Sequence, residues 1–307
     1  MKLPALAAVL LLLAPAAIAA EKSELIEKSF PSRPGKVVLV DAGPLDLSVR
    51  ASDIPDIRVR IELVTAALSE NQAKAWVDAH RPTLTDSEGE LRITAPDPGG
   101  ISLFKGVLPT RARIELTVPH DVRPDLSTSS GTLLVNGEFP EARPLRLRAA
   151  SGDTELGGWA PEIEARSTSG DIALRASKAI DTLMARSAGG AVELTGGART
   201  VRCDTSSGDV HLSGLLGPAT IATTSGNVVA RFDVLAPADQ VRVETVSGRV
   251  RVGLPPGCQP GGVLTTSTGD IRSAFPGKSD PNATKLDLSG TGPKVLVTTG
   301  SGRIELS

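Results

Sequence analysis

A turn rich in serine and threonine and ending in glycine recurs throughout the C-terminal part of this 307-residue chain, as in "CDTSSGDVHLSG", "RSTSGDIALRA" and "IATTSGNVVAR". The intervals between successive turn glycines are 21, 18, 20, 18, 18, 22, 21 and 33 residues. Repeats of about 20 residues are typical of stacked arrays, in which each unit buries its apolar face only against its neighbours. The nine turn glycines are Gly131, Gly152, Gly170, Gly190, Gly208, Gly226, Gly248, Gly269 and Gly302.

Side-chain character alternates with a fixed phase around each turn glycine. The fifth residue before it is always apolar: Leu126, Leu147, Ala165, Ala185, Cys203, Ile221, Val243, Leu264 and Val297. The second residue after it is aliphatic in every repeat except at Thr154, and the residues on either side of that position are mostly polar. A period of two is the pattern of half-buried strands. These columns therefore predict the interior of the fold.

The repeat predicts an all-β fold, a β-solenoid or β-helix-like stack of about nine coils of roughly 20 residues. We expect glycine at each corner because it adopts positive φ without steric cost. The preceding Ser or Thr and the following Asp or Asn are expected to hydrogen-bond the turn backbone.

Residues 21–122 are rich in strands but lack the glycine repeat. They predict an irregular antiparallel β section that either caps the solenoid or continues it. One short helix is expected near residues 69–80, because Ser69 and Gln72 form a capping box and Pro82 ends the segment. The predicted organisation is a signal peptide over 1–20, this section over 21–122 and the solenoid over 123–307.

The first twenty residues, "MKLPALAAVLLLLAPAAIAA", combine Lys2, an apolar run and small residues at the end. This pattern is typical of a bacterial secretory signal peptide cleaved after Ala19 or Ala20. No later stretch reaches the roughly 18 apolar residues of a transmembrane helix. The sequence therefore predicts a soluble periplasmic or secreted protein.

Composition and motifs argue against several function classes. Removing the leader leaves a net charge of −3, and a nucleic-acid partner would need a basic stripe. Aromatic residues make up 2% of the chain, too few for many stacked sugars or bases. The three histidines, His80, His120 and His211, have no ligand or triad spacing. We expect no enzyme activity, no catalytic, metal or cofactor-binding residues and no cofactor.

Other residues leave alternatives open. Asp153 and Asp171, with Asp209 and Asn227, could form a cation or acid/base column, although turn formation explains them better. Cys203 and Cys258 are expected to be unpaired, because about three coils separate them. Trp159 could stack on a sugar or, as we prefer, cover an apolar edge at a loop tip.

The turn pattern, together with an N-terminal half ending in the "V-P" strand at Val118 and Pro119, resembles the bacterial putative-adhesin β-strand repeat family. That family is a domain of unknown function in exported or membrane-attached proteins. The resemblance implies a β-solenoid outside the cytoplasm and carries over no functional residues. The chain departs from the pattern at Ala191, at Arg249 and in the long last interval.

Two functions compete at this point. The first is an extracytoplasmic, adhesin-like interaction or structural protein that presents a rigid face to an envelope protein or surface polymer. The second is a polysaccharide-binding or polysaccharide-active β-helix protein, which outward Arg249, Arg251, Arg272 and Arg303 would serve. A module of an envelope signalling system is a third reading.

Two segments were candidates for contact with other molecules. The C-terminal strand 303–307 is expected to be an uncovered edge, either closed by the 273–294 insertion or used for self-association. An apolar loop containing Ile101, Leu103, Phe104, Val107 and Leu108 could dock a partner or fold over the stack.

Overall fold

A computed structural model of the chain describes residues 20–97 and 107–307. Within those residues the fold is all-β, as predicted, with 27 strands and one helix. The N-terminal elements are β1 (Ala20–Pro31), β2 (Val37–Asp41), β3 (Asp46–Ala51), β4 (Asp56–Ala67), α1 (Glu70–His80), β5 (Thr83–Asp86), β6 (Glu90–Thr94) and β7 (Val107–Val118).

Each repeat unit is a strand, a glycine turn and a second strand. The repeat strands are β8 (Arg123–Thr128), β9 (Leu133–Glu138), β10 (Leu145–Ala149), β11 (Thr154–Trp159), β12 (Glu162–Ser167), β13 (Ile172–Ala176), β14 (Ile180–Ser187), β15 (Val192–Thr195), β16 (Ala198–Thr205), β17 (Val210–Leu215), β18 (Ala219–Ser225), β19 (Val228–Phe232), β20 (Gln240–Ser247), β21 (Val250–Gly253), β22 (Gly261–Thr268), β23 (Ile271–Ser273), β26 (Lys294–Ser301) and β27 (Ile304–Leu306). Between the last two units lie β24 (Gly277–Ser279) and β25 (Lys285–Ser289).

Strands of neighbouring units pair in parallel and in register, which gives a solenoid-like stack. We call the ladder of strands before the turns the pre-turn ladder and the ladder after them the post-turn ladder. Leu147 pairs with Ala165, and Cys203 pairs with Ile221, in the pre-turn ladder. All nine residues of the predicted column before the glycines are fully buried in one core cluster. The predicted interior is confirmed.

The N-terminal section both continues the stack and caps it. Strands β2 and β3 form a further unit that pairs in parallel with β8 and β9. Strands β6 and β7 pair in parallel on the other side of β2 and β3. Beyond them lie the antiparallel strand β5 and the antiparallel pair β4 and β1. The ladders thus continue across residue 122, and a domain boundary there stays a prediction.

The order of units at the C-terminal end differs from their order in sequence. Strand β26 lies between β20 and β22, and β27 lies between β21 and β23, with parallel pairing on both sides. The expectation that residues 303–307 form an uncovered edge is therefore wrong. The 33-residue interval is long enough for the chain to cross beyond β22 and return. On its way it places β25 antiparallel against the outer side of β22 and β24 against β25.

Close approach of the backbones, rather than positive φ, requires glycine at the turns. Only Gly248, Gly269 and Gly302 of the nine have φ in the positive region. A Cβ placed on Gly190, however, would lie 2.0 Å from the carbonyl oxygen of Gly170, and the other turn glycines show the same approach at 1.9–2.3 Å. The expected reason for glycine is thus corrected: consecutive turns stack glycine on glycine.

Hydroxyl groups inside the turn supply the expected backbone contacts. The side-chain oxygens of Thr128, Ser187 and Thr205 accept hydrogen bonds from the N–H of the glycine three residues later, at 3.0, 2.9 and 3.3 Å. These side chains are buried, so each bond satisfies a donor that water cannot reach.

The helix is confirmed as α1. The backbone N–H of Gln72 donates to the Ser69 hydroxyl at 3.3 Å, which is the expected cap. Helix α1 packs against β1 and β4 through Trp76 and Val77. With eleven residues it is too short to cross a bilayer, and it is the only helix in the described parts of the chain. The leader, residues 1–19, and most of the apolar loop at 101–106 lie outside the described residues.

Replacement of a turn glycine tests the close approach. We expect Gly190→Ala to lower the free energy of unfolding by at least about 2 kcal/mol, because the new Cβ would meet the backbone carbonyl oxygen of Gly170, which cannot turn away as a flexible side chain could. The matched control is Gly189→Ala, whose Cβ would lie 3.4 Å from its nearest neighbour, the Thr168 carbonyl oxygen. The control should stay within about 0.5 kcal/mol of the parent in urea unfolding. Equal midpoints for the two variants would contradict the role assigned to the glycine column.

Thr154 offers a second test, because it occupies an otherwise aliphatic column. It pairs with Leu133 and Ile172 in the ladder and is 1% exposed. Its hydroxyl has no hydrogen-bond partner among the described residues. Thr154→Val should therefore stabilise the protein by about 1 kcal/mol in urea unfolding. Thr205→Val, which removes the acceptor for Gly208 N–H, should destabilise it, and a shift of both variants in one direction would refute this reading.

Candidate functional site

The aspartate column that follows the turn glycines connects neighbouring repeats. An Asp153 carboxylate oxygen accepts a hydrogen bond from the backbone N–H of Asp171 at 2.9 Å, and Asp171 accepts from Ala191 N–H at 2.7 Å. Asp209 accepts from Asn227 N–H at 2.7 Å, and the Asn227 amide oxygen accepts from Arg249 N–H at 3.1 Å. Each side chain thus links its own turn to the next one in the stack.

This geometry favours the turn-forming interpretation of the column over a cation site. Ala191 and Arg249 are the departures from the pattern. Each donates such a bond from its backbone N–H, but neither has a side-chain oxygen that could accept one from the next turn. Nowhere in residues 20–97 and 107–307 do three or more His, Cys, Asp or Glu side chains gather closely enough to hold a metal ion. Cation binding by Asp153 and Asp171 stays the alternative that the sequence analysis disfavoured.

Asp209 separates the two interpretations. Asp209→Asn keeps an amide oxygen that can accept from Asn227 N–H, as Asn227 itself does for the next turn, so we expect little loss of stability. Asp209→Ala removes the acceptor and should cost about 1 kcal/mol in urea unfolding. Stabilisation of the parent by added calcium, absent in Asp209→Asn, would contradict a purely structural role.

The histidines are not brought together. Trp76 and His80 stack at 4.2 Å within α1, and His80 Nδ1 lies 2.8 Å from the Trp76 carbonyl oxygen. His120 Nδ1 lies 2.8 Å from the carbonyl oxygen of Glu138, the last residue of β9. His211 is exposed on the post-turn ladder beside Glu193. Two of the three are occupied by backbone contacts.

The cysteines are both free thiols, as predicted. Cys203 is fully buried in the core, and burial raises the pKa of its thiol to about 12. Burial also raises the pKa of Cys258, which is half-buried. Because the thiolate is the nucleophile, the raised pKa makes each thiol less reactive near neutral pH than that of an ordinary exposed cysteine.

Trp159 ends strand β11 instead of lying at a loop tip. Its indole Nε1–H donates to the Ala179 carbonyl oxygen at 3.0 Å, and the Lys178 ammonium lies 3.9 Å from the ring centroid. Lys178 also binds Glu138 at 3.1 Å and, with Ser177, holds the pKa of that carboxyl below its ordinary value. The ring packs against the core, so it covers an apolar edge as preferred.

The four outward arginines near the C-terminal end do not form one free basic surface. Arg251 binds Glu305 at 2.8 Å, and this bond holds the pKa of the Glu305 carboxyl below its ordinary value. Arg303 lies 3.3 Å from Asp270 and 3.7 Å from Glu305. Arg249 and Arg272 are exposed and make no ion pair with any described residue. Acidic neighbours therefore neutralise half of the predicted set.

A groove that the sequence analysis missed lies on the pre-turn ladder. It has a volume of about 610 Å³ and follows the edge of the turns across the strands from β8 to β16. Arg148, Arg166 and Arg186 line it, and each stands four residues before its turn glycine. Asp204 and small residues of the strand ends and turns, including Ala150 and Ser167, complete the lining. We call this feature the arginine groove.

Ion pairs hold the arginines of the groove in place. Arg148 binds Asp125 at 2.6 Å, Arg166 pairs closely with Glu164, and Arg186 lies 3.6 Å from Asp204. The signal that could have revealed the groove was an arginine at one fixed position in three consecutive repeats.

The family comparison matches residues 46–307 to the model of the Toastrack DUF4097 family. The chain belongs to this family. The match confirms the resemblance inferred from the turn pattern, and it includes β3 to β7 of the N-terminal section but not β2. No curated protein matches the chain.

The solved structures that the chain is similar to share little sequence with it. A putative adhesin from Parabacteroides merdae has 15% identity and a TM-score of 0.45, over 92% of this chain and 96% of that one. A putative adhesin from Bacteroides fragilis has 11% identity and a TM-score of 0.41, over 92% and 97%. A putative lipid binding protein from Parabacteroides distasonis has 13% identity and a TM-score of 0.36, over 92% and 96%. No function is transferred from these likenesses.

Proposed function

We propose that the mature chain is a non-catalytic, exported interaction protein of adhesin-like type, which presents a rigid β-solenoid face to a partner in the cell envelope or to a surface polymer. The observation that carries this proposal is the continuous stack, whose neighbouring units pair in parallel and in register except at one irregularity between Leu212 and Leu215. Eleven strand pairs at about 4.8 Å spacing form a column roughly 50 Å long, with outward side chains at fixed positions.

Rigidity supports binding at the outward faces. The column before the turn glycines is fully buried along the whole stack, and four turns are tied to the next turn through the side chains of Asp153, Asp171, Asp209 and Asn227. Side chains on such a surface lose little conformational freedom when a ligand binds, which favours recognition over many weak contacts. The signal-peptide pattern supports export to the periplasm or the medium.

A polysaccharide-binding function is the second candidate, and the arginine groove favours it. Polysaccharide hydrolysis has less support. Glycosidases use two carboxyl groups flanking one bond, and the acidic residues that border the groove, Asp125, Glu164 and Asp204, all pair with arginines. The proposal is therefore binding without bond cleavage.

The test of the proposed function uses the labelled mature chain, residues 21–307, and envelopes prepared from its own host cell. We expect saturable binding that survives thorough washing. Treatment of the envelopes with a protease, or removal of their glycans, should abolish this binding. A labelled sample of the chain that has been unfolded by heat is the control. Absence of saturable binding, or release of reducing sugar ends during incubation, would overturn the proposal.

Export is tested separately. N-terminal sequencing of the secreted or periplasmic protein should find Ala20 or Glu21 as the first residue.

A further inference from the structure

The arginine groove holds three guanidinium groups in a row across the stack. Arg148 pairs in register with Arg166, and Arg166 pairs in register with Arg186, so adjacent positions are about 4.8 Å apart. Like charges directly opposite one another destabilise a sheet. Such an arrangement needs compensation from acidic groups, from a ligand or from both.

The acidic groups on the protein compensate only in part. Three carboxylates, from Asp125, Glu164 and Asp204, serve five arginines: the three of the groove and Arg146 and Arg202 on the same strands. Asp125 contacts two of them, at 2.6 and 3.7 Å, and Asp204 also contacts two, at 3.0 and 3.6 Å. The patch keeps a local excess of two positive charges on a chain whose net charge is negative.

The lining beside the arginines is shaped for a chain molecule. The three positions before each turn glycine of the groove hold only Ala, Ser, Thr or Gly, so the larger side chains that line it are the three arginines and Asp204, which pairs with Arg186 and Arg202. The hydroxyl groups of Thr168 and Ser206, which precede their turn glycines by two residues, lie along the groove beside the arginines.

We propose that the arginine groove binds a linear acidic glycan, which lies along the stack axis with its acidic groups against Arg148, Arg166 and Arg186. Guanidinium groups bind carboxylate, sulfate or phosphate through two parallel hydrogen bonds. The regular spacing of the arginines matches a polymer that carries charge at regular intervals. This inference rests on the proposed function and specifies one of its binding surfaces.

The groove fits a glycan better than a nucleic acid. Proteins that bind single-stranded nucleic acid stack its bases on aromatic side chains, and no aromatic residue lines the groove. Hydroxyl and backbone groups of the lining, such as those of Thr168 and Ser206, are suited to sugar hydroxyls.

The experiment measures binding of the mature chain to four probes by calorimetry at low and high salt. The probes are oligogalacturonate for carboxylates, a sulfated glucan oligomer for sulfates, neutral malto-oligosaccharide and single-stranded DNA. We expect one or both acidic glycans to bind, with affinity that falls as salt screens the charges, and no binding of the neutral oligomer. The triple variant Arg148→Gln/Arg166→Gln/Arg186→Gln should weaken binding by about tenfold or more.

The control carries the same change of charge on the post-turn ladder: Arg50→Gln/Arg175→Gln/Arg231→Gln, all exposed on β3, β13 and β19, should bind as the parent does. Arg166→Gln alone, which disturbs the ion pairs less, secures the result if the triple variant unfolds. Arg166→Lys tests the paired hydrogen bonds, because lysine keeps the charge but not the planar fork.

Three results would overturn the inference: no acidic glycan binds, the triple variant binds them like the parent, or DNA binds as tightly with the same dependence on the arginines. If the triple variant binds both acidic glycans and envelopes as the parent does, the arginine groove is not the binding surface, but the proposed function stands. If the parent itself shows no saturable binding to envelopes, the proposed function is wrong.

Discussion

Turn glycines of neighbouring repeats lie so close that no side chain fits between them, and this contact sets the geometry of the whole stack. A Cβ on Gly208 would lie 1.9 Å from the carbonyl oxygen of Gly190, so the turns must superimpose from one repeat to the next. Once the turns superimpose, strand register cannot slip by one residue. Register in turn directs the columns of Cys203 and of Val210 to the core and the alternate residues to solvent.

Periodicity made much of this fold predictable from sequence. It revealed the two buried columns, the turn hydrogen bonds and helix α1, because each depends on residues close together in the chain. The order of units at the ends was not predictable in this way. Val243 pairs with Val297 and not with Leu264, although all three carry the same local pattern. Equivalent strands compete for the same edge, and the choice depends on how the 33-residue interval crosses the stack.

The candidate binding surface, unlike the fold, was not predictable from spacing along the sequence. Asp153 and Asp171 stood out in the sequence because a fixed spacing of carboxylates is typical of ligand sites, yet each accepts a backbone N–H from the next repeat. Arg148, Arg166 and Arg186 belong to no short motif and became a row only through the pairing of β10, β12 and β14. A column at one position of a repeat is a surface feature whenever the repeat stacks in register. Outward columns therefore hold as much information as the turns themselves.

Both ends of the stack are closed in a way that leaves its faces as the surface for binding. The unit β2 and β3, and the unit β26 and β27, which is last in sequence only, both lie inside the stack with hydrogen-bonded neighbours on either side. Among the described residues the strands left at the ends are either short, as β23 and β24 are, or charged, as β1 is with Glu21, Lys22, Glu24, Glu27 and Lys28. Short and charged edges resist pairing with other strands. Binding through the outward side chains of the ladders is then the mode of contact that this architecture favours.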